Sequence, residues 1–282
     1  MQIDASWLAQ SFPDLSRLAP LSSGGQKTVY AAEHPADGEV VLKLIKPSQS
    51  VETTEREILA VQSVQSPRVP QILEKGTVAS QLGDLVWLRE QRITGATLRT
   101  RLQQGPLPEI DVLRLGLQML EALAMAESVE IVHRDVKPDN IMADGSGDYW
   151  LLDFGLARHL QLDSLTATAS PFGKFTAGYA PTEQFRNDKD SIDGRVDLFG
   201  LGVTLYECFT GTNPFRSNAR DHLEVLRRVE RVPLPRLKLS LTAGPEVADL
   251  VAAMTQKRRD QRPRNVAYAL DWVKVIGEAE GI

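Results

Sequence analysis

Two short segments of this chain carry side chains whose types and spacing suit phosphoryl transfer. His133–Asn140 reads HRDVKPDN and places a carboxylate, an ammonium and an amide close together. Asp153 supplies a further carboxylate directly after the apolar run Tyr149–Leu152. Transfer of phosphate from ATP needs a carboxylate to orient the attacking hydroxyl, a cation beside the moving phosphate, and oxygen ligands for Mg²⁺. The two segments together contain this whole inventory.

Four residues divide these roles. Asp135 is the candidate that accepts or orients the proton of the substrate hydroxyl, and Lys137 can neutralise charge on the transferring phosphate. Asn140 and Asp153 offer hard oxygen ligands for magnesium. Asp135, Asn140 and Asp153 would each also suit an ordinary turn, but the combination with Lys137 favours the catalytic interpretation.

The order HRDVKPDN and then DFG, with thirteen residues from Asn140 to Asp153, resembles the signature of the eukaryotic-like (Hanks-type) Ser/Thr protein kinase family. The resemblance runs from Leu18 to Ile276. It implies an α+β, two-lobed protein-kinase-like fold with a small antiparallel-sheet N-lobe, one helix in that lobe, and a larger, mainly helical C-lobe. It also implies an ATP cleft between the lobes. In this family a lysine at the position of Lys137 marks Ser/Thr rather than Tyr kinases.

The sheet lobe must supply a lysine for the α- and β-phosphates. A strand through Val40–Lys43 would point Val41 and Lys43 to one face, and the resemblance assigns Lys43 to the phosphates. Family members pair this lysine with a glutamate on the next helix. Glu55 and Glu57 both fit, and Glu57 is preferred because the apolar positions after it have the spacing that the family shows.

The glycine-rich loop departs from the family pattern. The family has G-x-G-x-x-G-x-V over the phosphates, whereas Leu21–Tyr30 reads LSSGGQKTVY. With the pattern aligned on Val29, only Gly24 matches, and Ser22 and Lys27 stand at the outer glycine positions. Glycines let backbone amides approach phosphate oxygens. Lys27 therefore either adds a cation for the phosphates or closes the nucleotide site, and the second option is the main argument for a pseudokinase.

The hinge is located by aligning Gly95–Leu98 with the G-G-x-L segment of the family. This alignment puts Glu90 at the gatekeeper position and Gln91 to Ile93 along the adenine edge. Glutamate is unusually polar for a gatekeeper, so a shift by one residue is the alternative.

The segment between Asp153 and Glu183 corresponds to the activation segment of the family. Thr176–Tyr179 resembles T-P-x-Y, which implies that Thr176 hydrogen-bonds the side chains of the catalytic loop when the enzyme is active. Hydroxyl residues that a phosphorylation switch could use are Ser164, Thr166, Thr168, Ser170 and Thr176.

Three structural roles also follow from the resemblance. Glu183 is expected to form a salt bridge with Arg262, Asp197 to tie down the catalytic loop, and His133 to serve packing and backbone hydrogen bonding. Arg134 resembles the arginine that receives activation-loop phosphate, with a plain surface arginine as the alternative.

The periodicity of apolar residues changes along the chain from about two to 3.6. The first third predicts strands at Thr28–Ala32, Val40–Ile45 and Leu85–Leu88 and a helix at Val51–Val64. Helices are predicted later at Pro108–Ala126, Val196–Phe209, Asp221–Val229, Glu246–Gln256 and Val266–Ile276. We therefore predict a helical extension at 1–17, an N-lobe at 18–94 and a C-lobe at 95–282. The extension is interpreted as a helix packed on the small lobe, with a partner-docking helix as the alternative.

Composition limits the remaining classes. The net charge of −5 gives no electrostatic footprint for nucleic acid or anionic membrane. The single cysteine, Cys208, excludes an intramolecular disulfide, and its apolar surroundings favour a buried, inert thiol. No apolar run approaches the length of a membrane span, and the start of the sequence lacks the pattern of a secretory signal. These observations predict a cytoplasmic enzyme.

The expected activity is transfer of the γ-phosphate of Mg-ATP to Ser or Thr hydroxyls of proteins, including other copies of this chain. A pseudokinase scaffold that binds nucleotide without transfer is the first alternative. A small-molecule kinase of the aminoglycoside type is the second, although that group rarely carries a lysine like Lys137 or a segment like Thr176–Glu183.

Overall fold

The computed structural model describes residues 3–24, 27–47, 50–154, 175–188 and 191–282, apart from the side chain of Thr53. These residues form two compact units. The sheet unit comprises residues 3–63 and 70–93, and the helical unit comprises residues 64–69, 94–154 and those from 175 onward. The predicted combination of a small sheet lobe and a larger helical lobe is confirmed.

Within its described residues, the sheet unit contains one antiparallel sheet of five strands in the order β1-β2-β3-β5-β4. The strands are β1 (Ser16–Ser23), β2 (Lys27–His34), β3 (Gly38–Ile45), β4 (Ile72–Ser80) and β5 (Gly83–Gln91). Helix α1 (Ala5–Ser11) precedes the sheet, and helix α2 (Val51–Gln62) lies between β3 and β4.

The two helices cover opposite faces of this sheet. Successive side chains of a strand point to opposite sides, so neighbouring residues of β3 contact different helices. Leu42 and Leu44 of β3 pack with Leu8 of α1 and with Phe12, which follows it. Ile45, on the other face, packs with Ile58 of α2 and with Val86 and Leu88 of β5. Helix α2 therefore docks on the face that also carries Lys43.

The helical unit contains a small antiparallel sheet and the remaining helices. Its strands are β6 (Gly95–Thr97), β7 (Ile141–Asp144) and β8 (Tyr149–Leu151). Its helices are α3 (Leu98–Leu102), α4 (Glu109–Ser128), α5 (Thr182–Phe185), α6 (Arg195–Thr210), α7 (His222–Arg231), α8 (Gly244–Met254) and α9 (Val266–Glu280). Helix α4 packs against α6 and α9, and α6 is buried along most of its length.

Gly95 shows why the small sheet needs a glycine at its start. A Cβ at this position would lie 2.0 Å from the carbonyl oxygen of Ala143, so β6 could not approach β7 with any other residue. This contact brings the beginning of the helical unit onto the strand that directly follows the segment HRDVKPDN.

Residues 64–69 lie inside the predicted N-lobe range but belong to the helical unit. Two contacts explain the assignment. The carbonyl of Arg68 accepts a hydrogen bond of 2.8 Å from the N–H of Leu151, and the Arg68 guanidinium forms an ion pair of 2.8 Å with Asp148.

The predicted long helices and the strands with buried side chains match observed elements to within a few residues. Strands β1 and β4 were missed because β1 is almost entirely exposed and β4 has no fully buried residue. Neither carries the alternation of apolar and polar residues that marks a strand with one face in the core. Among the described residues, no helix combines the length and the apolar character that crossing a membrane requires.

Candidate active site

One face of the large sheet gathers several residues that the sequence assigns to nucleotide binding. Val29 on β2 is paired directly with Lys43 on β3, and Val41 is paired with Glu90 on β5. Directly opposed residues of antiparallel strands share a face. Lys43 and Glu90 are therefore diagonal neighbours, and their side chains form an ion pair of 2.5 Å.

The connection between β1 and β2 corresponds to the predicted phosphate loop. Ser22 is paired with Val29 across the two strands. The N–H of Gly24 donates a hydrogen bond of 2.8 Å to the carbonyl of Lys27. Lys27 is the first residue of β2 and, by the alternation of side chains, lies on the same face as Val29 and Lys43.

The remaining residues predicted for the nucleotide site lie around β5 and α2. Gln91 is the last residue of β5, and its N–H donates to the carbonyl of Gln71 at 2.9 Å, so this donor is already engaged in the protein. Ile93 follows the strand and is half-buried. Glu57 is half-buried on α2, and its pairing with Lys43 stays a prediction.

In the helical unit, the carboxylate of Asp135 is the centre of a hydrogen-bond network. Its Oδ2 accepts bonds from the Lys137 ammonium at 2.8 Å and from the Asn140 amide at 3.0 Å. Its Oδ1 accepts a bond of 2.9 Å from the Thr176 hydroxyl. Thr176 in turn accepts a bond of 2.7 Å from Lys137. The predicted contacts of Thr176 with the catalytic loop are thus present.

This network determines what Asp135 can do. Three donors hold its two carboxylate oxygens, and charge-assisted bonds of this kind are stronger than neutral ones. The carboxylate is consequently fixed in one orientation while about a quarter of its surface stays exposed. A fixed, partly exposed carboxylate suits a group that receives or orients a hydroxyl proton.

Asp197, at the start of α6, holds the backbone of the loop that carries Asp135. Its two carboxylate oxygens accept the N–H groups of His133 at 2.7 Å and Arg134 at 2.6 Å. Arg134 has a φ of 66°, a left-handed conformation that side chains disfavour, so the two bonds stabilise an unusual turn. Burial raises the pKa of the Asp197 carboxyl, while its bonds to the loop oppose that shift. The predicted structural role is confirmed.

The segment that contains Asp153 is tied to the same loop. The N–H of Leu152 donates to the carbonyl of Asn140 at 2.8 Å, and the carbonyl of Leu152 lies 2.8 Å from the Nε2 atom of His133. The rings of His133 and Phe154 meet edge to face at 4.8 Å. The residues on both sides of Asp153 are therefore anchored to the loop that carries Asp135.

The donor set of this unit fits magnesium held partly by a nucleotide. Among the described residues, no group of three or more His, Cys, Asp or Glu side chains could enclose a metal ion. Mg²⁺ is commonly bound through one or two protein oxygens together with substrate phosphates. The Nδ2 atom of Asn140 donates to Asp135, which leaves its carbonyl oxygen as the acceptor. Asp153 adds a half-buried carboxylate.

The segment from Thr176 to Glu183 is anchored at both ends. The hydroxyl of Tyr179 hydrogen-bonds Glu207 and Arg99, and Arg99 and Glu207 form an ion pair of 2.6 Å. Glu183 forms the predicted salt bridge with Arg262 at 2.6 Å, and the Arg262 side chain has no exposed surface. Ser164, Thr166, Thr168 and Ser170, the other predicted switch residues, lie outside the described residues.

Two polar contacts escaped the sequence interpretation. The ion pair of Lys43 with Glu90 joins residues that were assigned to different parts of the nucleotide. The cluster of Arg99, Tyr179 and Glu207 was not predicted, although a glutamate within the apolar helix α6 is a signal, since a buried charge needs a partner.

Comparison with known proteins gives concordant results. The family model described as protein kinase domain matches residues 15–271. The chain is 31% identical over 235 residues to serine/threonine-protein kinase PknD of Mycobacterium tuberculosis, and this alignment covers 81% of the chain and 34% of PknD. It is 32% identical over 250 residues to serine/threonine-protein kinase PknL of the same species, and this alignment covers 86% of the chain and 61% of PknL. A probable serine/threonine-protein kinase of Bifidobacterium longum, pknA2, is 30% identical over 261 residues, or 89% of this chain and 33% of pknA2. The chain thus spans from about a third to about three fifths of the length of these relatives.

Proposed function

This chain belongs to the protein kinase family, and we propose that it transfers the γ-phosphate of Mg-ATP to Ser and Thr hydroxyls of proteins. The observation that carries the proposal is the network in which Asp135 is bonded to Lys137, Asn140 and Thr176. It combines a carboxylate, a cation and a metal-ligand candidate in one rigid loop.

Each side chain has a distinct task in this proposal. Asp135 orients the substrate hydroxyl and receives its proton, and Lys137 neutralises charge on the phosphate as it moves. Lys43 binds the α- and β-phosphates, while Asn140 and Asp153 hold magnesium. When bound, magnesium neutralises negative charge on the β- and γ-phosphates. Positioning and charge stabilisation are the main contributions of a protein to phosphoryl transfer.

The proposed substrates are protein hydroxyls, including those of a second copy of this chain acting in trans. Support comes from Lys137, whose position marks Ser/Thr kinases in the family, and from relatives that are named serine/threonine-protein kinases. We place the activity in the cytoplasm and expect no nucleic-acid or membrane partner. The net charge of −5 gives the chain no overall attraction to either polyanion.

The test is incubation of the purified chain with labelled ATP, magnesium and a protein substrate. Label in the substrate and in an added Asp135→Asn copy would support protein phosphorylation and transfer in trans. Label found only in small metabolites would favour a small-molecule kinase. Magnesium-dependent nucleotide binding with no transfer to any acceptor would favour a scaffold and overturn the proposal.

A further inference from the structure

The ion pair of Lys43 with Glu90 is buried. The two charged groups are 2.5 Å apart, and each side chain has only 9% of its surface exposed. Breaking such a buried pair by removing one partner leaves an uncompensated charge, which is strongly unfavourable. Whatever Lys43 does, the carboxylate of Glu90 is part of what stabilises its charge there.

The backbone fixes this pairing. Strands β3 and β5 are paired over six consecutive positions without a bulge, from Val40 opposite Gln91 to Ile45 opposite Val86. Lys43 and Glu90 are diagonal neighbours on one face, within reach for long side chains. A slip of one residue would turn every side chain of a strand to the other face. The register therefore keeps the two positions adjacent as long as the sheet is folded.

A partner on helix α2 would act differently. Helix α2 is a separate element that docks on the sheet through Ile58 against Ile45, Val86 and Leu88. A glutamate on this helix, such as Glu57, orients Lys43 only while the helix is docked. A glutamate on a neighbouring strand, such as Glu90, orients Lys43 whether or not the helix is docked.

We propose that Glu90 is a positioning residue for Lys43: it keeps the ammonium charged and directed along the sheet face that carries Val29 and Val41, whether or not α2 contributes a glutamate. The proposal rests on the proposed function in assigning Lys43 to the phosphates. An ammonium has three N–H donors, so the bond to Glu90 is compatible with bonds to phosphate oxygens. Lys43 is thereby pre-organised by the sheet before nucleotide binds.

Three variants of the purified chain test this role. Glu90→Gln removes the charge with little change in shape, Glu90→Asp keeps the charge on a shorter side chain, and Glu57→Gln is the matched control on α2. We expect Glu90→Gln to weaken the affinity for Mg-ATP about tenfold, equivalent to about 1.4 kcal/mol, with Glu90→Asp between it and the wild type. Glu57→Gln is expected to change the affinity by less than Glu90→Gln.

A second readout does not depend on nucleotide or on phosphate transfer. An amine-reactive reagent attacks only the neutral form of lysine, and loss of a nearby carboxylate favours that form in a buried site. Mass spectrometry should therefore find Lys43 labelled faster in Glu90→Gln than in the wild type and in Glu57→Gln. If Glu90→Gln does not fold, Glu90→Asp is labelled in the same way; its shorter side chain moves the carboxylate away from the ammonium, so a smaller increase is expected.

The outcomes separate this inference from the proposed function. A wild type that transfers no phosphate overturns the function, while the labelling of Lys43 still decides the role of Glu90. Wild-type nucleotide affinity and wild-type labelling in the Glu90 variants would overturn the inference. A larger loss of affinity in Glu57→Gln than in Glu90→Gln would also overturn it, because the helix would then be the main partner.

Discussion

The hydroxyl of Thr176 donates a hydrogen bond of 2.9 Å to Asp135, although the two residues are 41 positions apart. Because Thr176 also accepts a bond from Lys137, it closes a ring of polar contacts around the group proposed to receive the substrate proton. The segment after residue 175 is thereby coupled to the catalytic loop through side chains that could take part in the reaction.

Replacing Thr176 by Val should lower kcat about 10- to 100-fold, because the bonds to Asp135 and Lys137 are charge-assisted and bonds of that kind contribute about 1.5–3 kcal/mol. Thr176→Ser keeps the hydroxyl and is the control. Steady-state kinetics with a protein substrate measure the effect. Equal rates for the Thr176→Val and Thr176→Ser variants would show that the hydroxyl does not position Asp135.

Replacing Asp135 by Asn should reduce phosphate transfer by about 10²- to 10⁴-fold, the usual contribution of a group that accepts a proton in the transition state. Nucleotide binding should be nearly unchanged, since the proposed metal ligands are other residues. Rates from labelled ATP and affinities from calorimetry separate the two effects. A variant with ordinary turnover would exclude Asp135 as the catalytic carboxylate.

Replacing Asp153 by Ala should abolish the magnesium dependence of ATP binding, because the variant lacks one of the two proposed oxygen ligands. The matched control is Asp249→Ala on α8. Its carboxylate pairs with Arg236, and both residues are far from Asp153 in the sequence. Affinities are compared with magnesium and with a chelator. If Asp153→Ala bound Mg-ATP like the control, the metal assignment would be wrong.

Replacing Lys27 by Gly restores the family residue at an outer position of the phosphate loop, and Lys27→Ala separates loss of charge from gain of backbone freedom. Lys27 shares a sheet face with Lys43, so we expect both variants to raise the KM for ATP several-fold through loss of a cation. Faster turnover in Lys27→Gly would instead show that the lysine restrains the enzyme.

Lys257 provides a pH-dependent test of stability. Its ammonium lies 4.2 Å from the ring centre of Phe215. Burial, together with the nearby positive charge of Arg262, lowers the pKa of Lys257 from 10.5 to about 8. A folded-state pKa below the unfolded value means that stability is greatest above pH 10.5 and falls as the pH drops to about 8.

Lys257→Met should therefore raise the free energy of unfolding at pH 7 by about 1–2 kcal/mol, a range reduced for solvent screening and for the lost contact of the cation with the ring. The gain should shrink as the pH rises from 8 to 10.5. Urea unfolding at several pH values measures it, with the exposed Lys274→Met as control. A gain that does not vary with pH would contradict the assigned cause.

Residue types and short spacings determined much of this site. His133–Asn140 and Asp153 are each local patterns, and a local pattern is sufficient when the required groups lie on one loop. The same applies to the long helices, since their apolar stripe repeats within the sequence. The helix α4 and the catalytic loop were predicted for this reason.

Tertiary structure decided contacts between residues that no local pattern connects. Glu90 meets Lys43 because β5 lies beside β3 in the sheet, with β4 at the edge. Residues 64–69 join the helical unit through Arg68. Strand order and buried ion pairs depend on long-range packing free energy, which the sequence specifies only through the whole fold, so these partners became visible only in the folded chain.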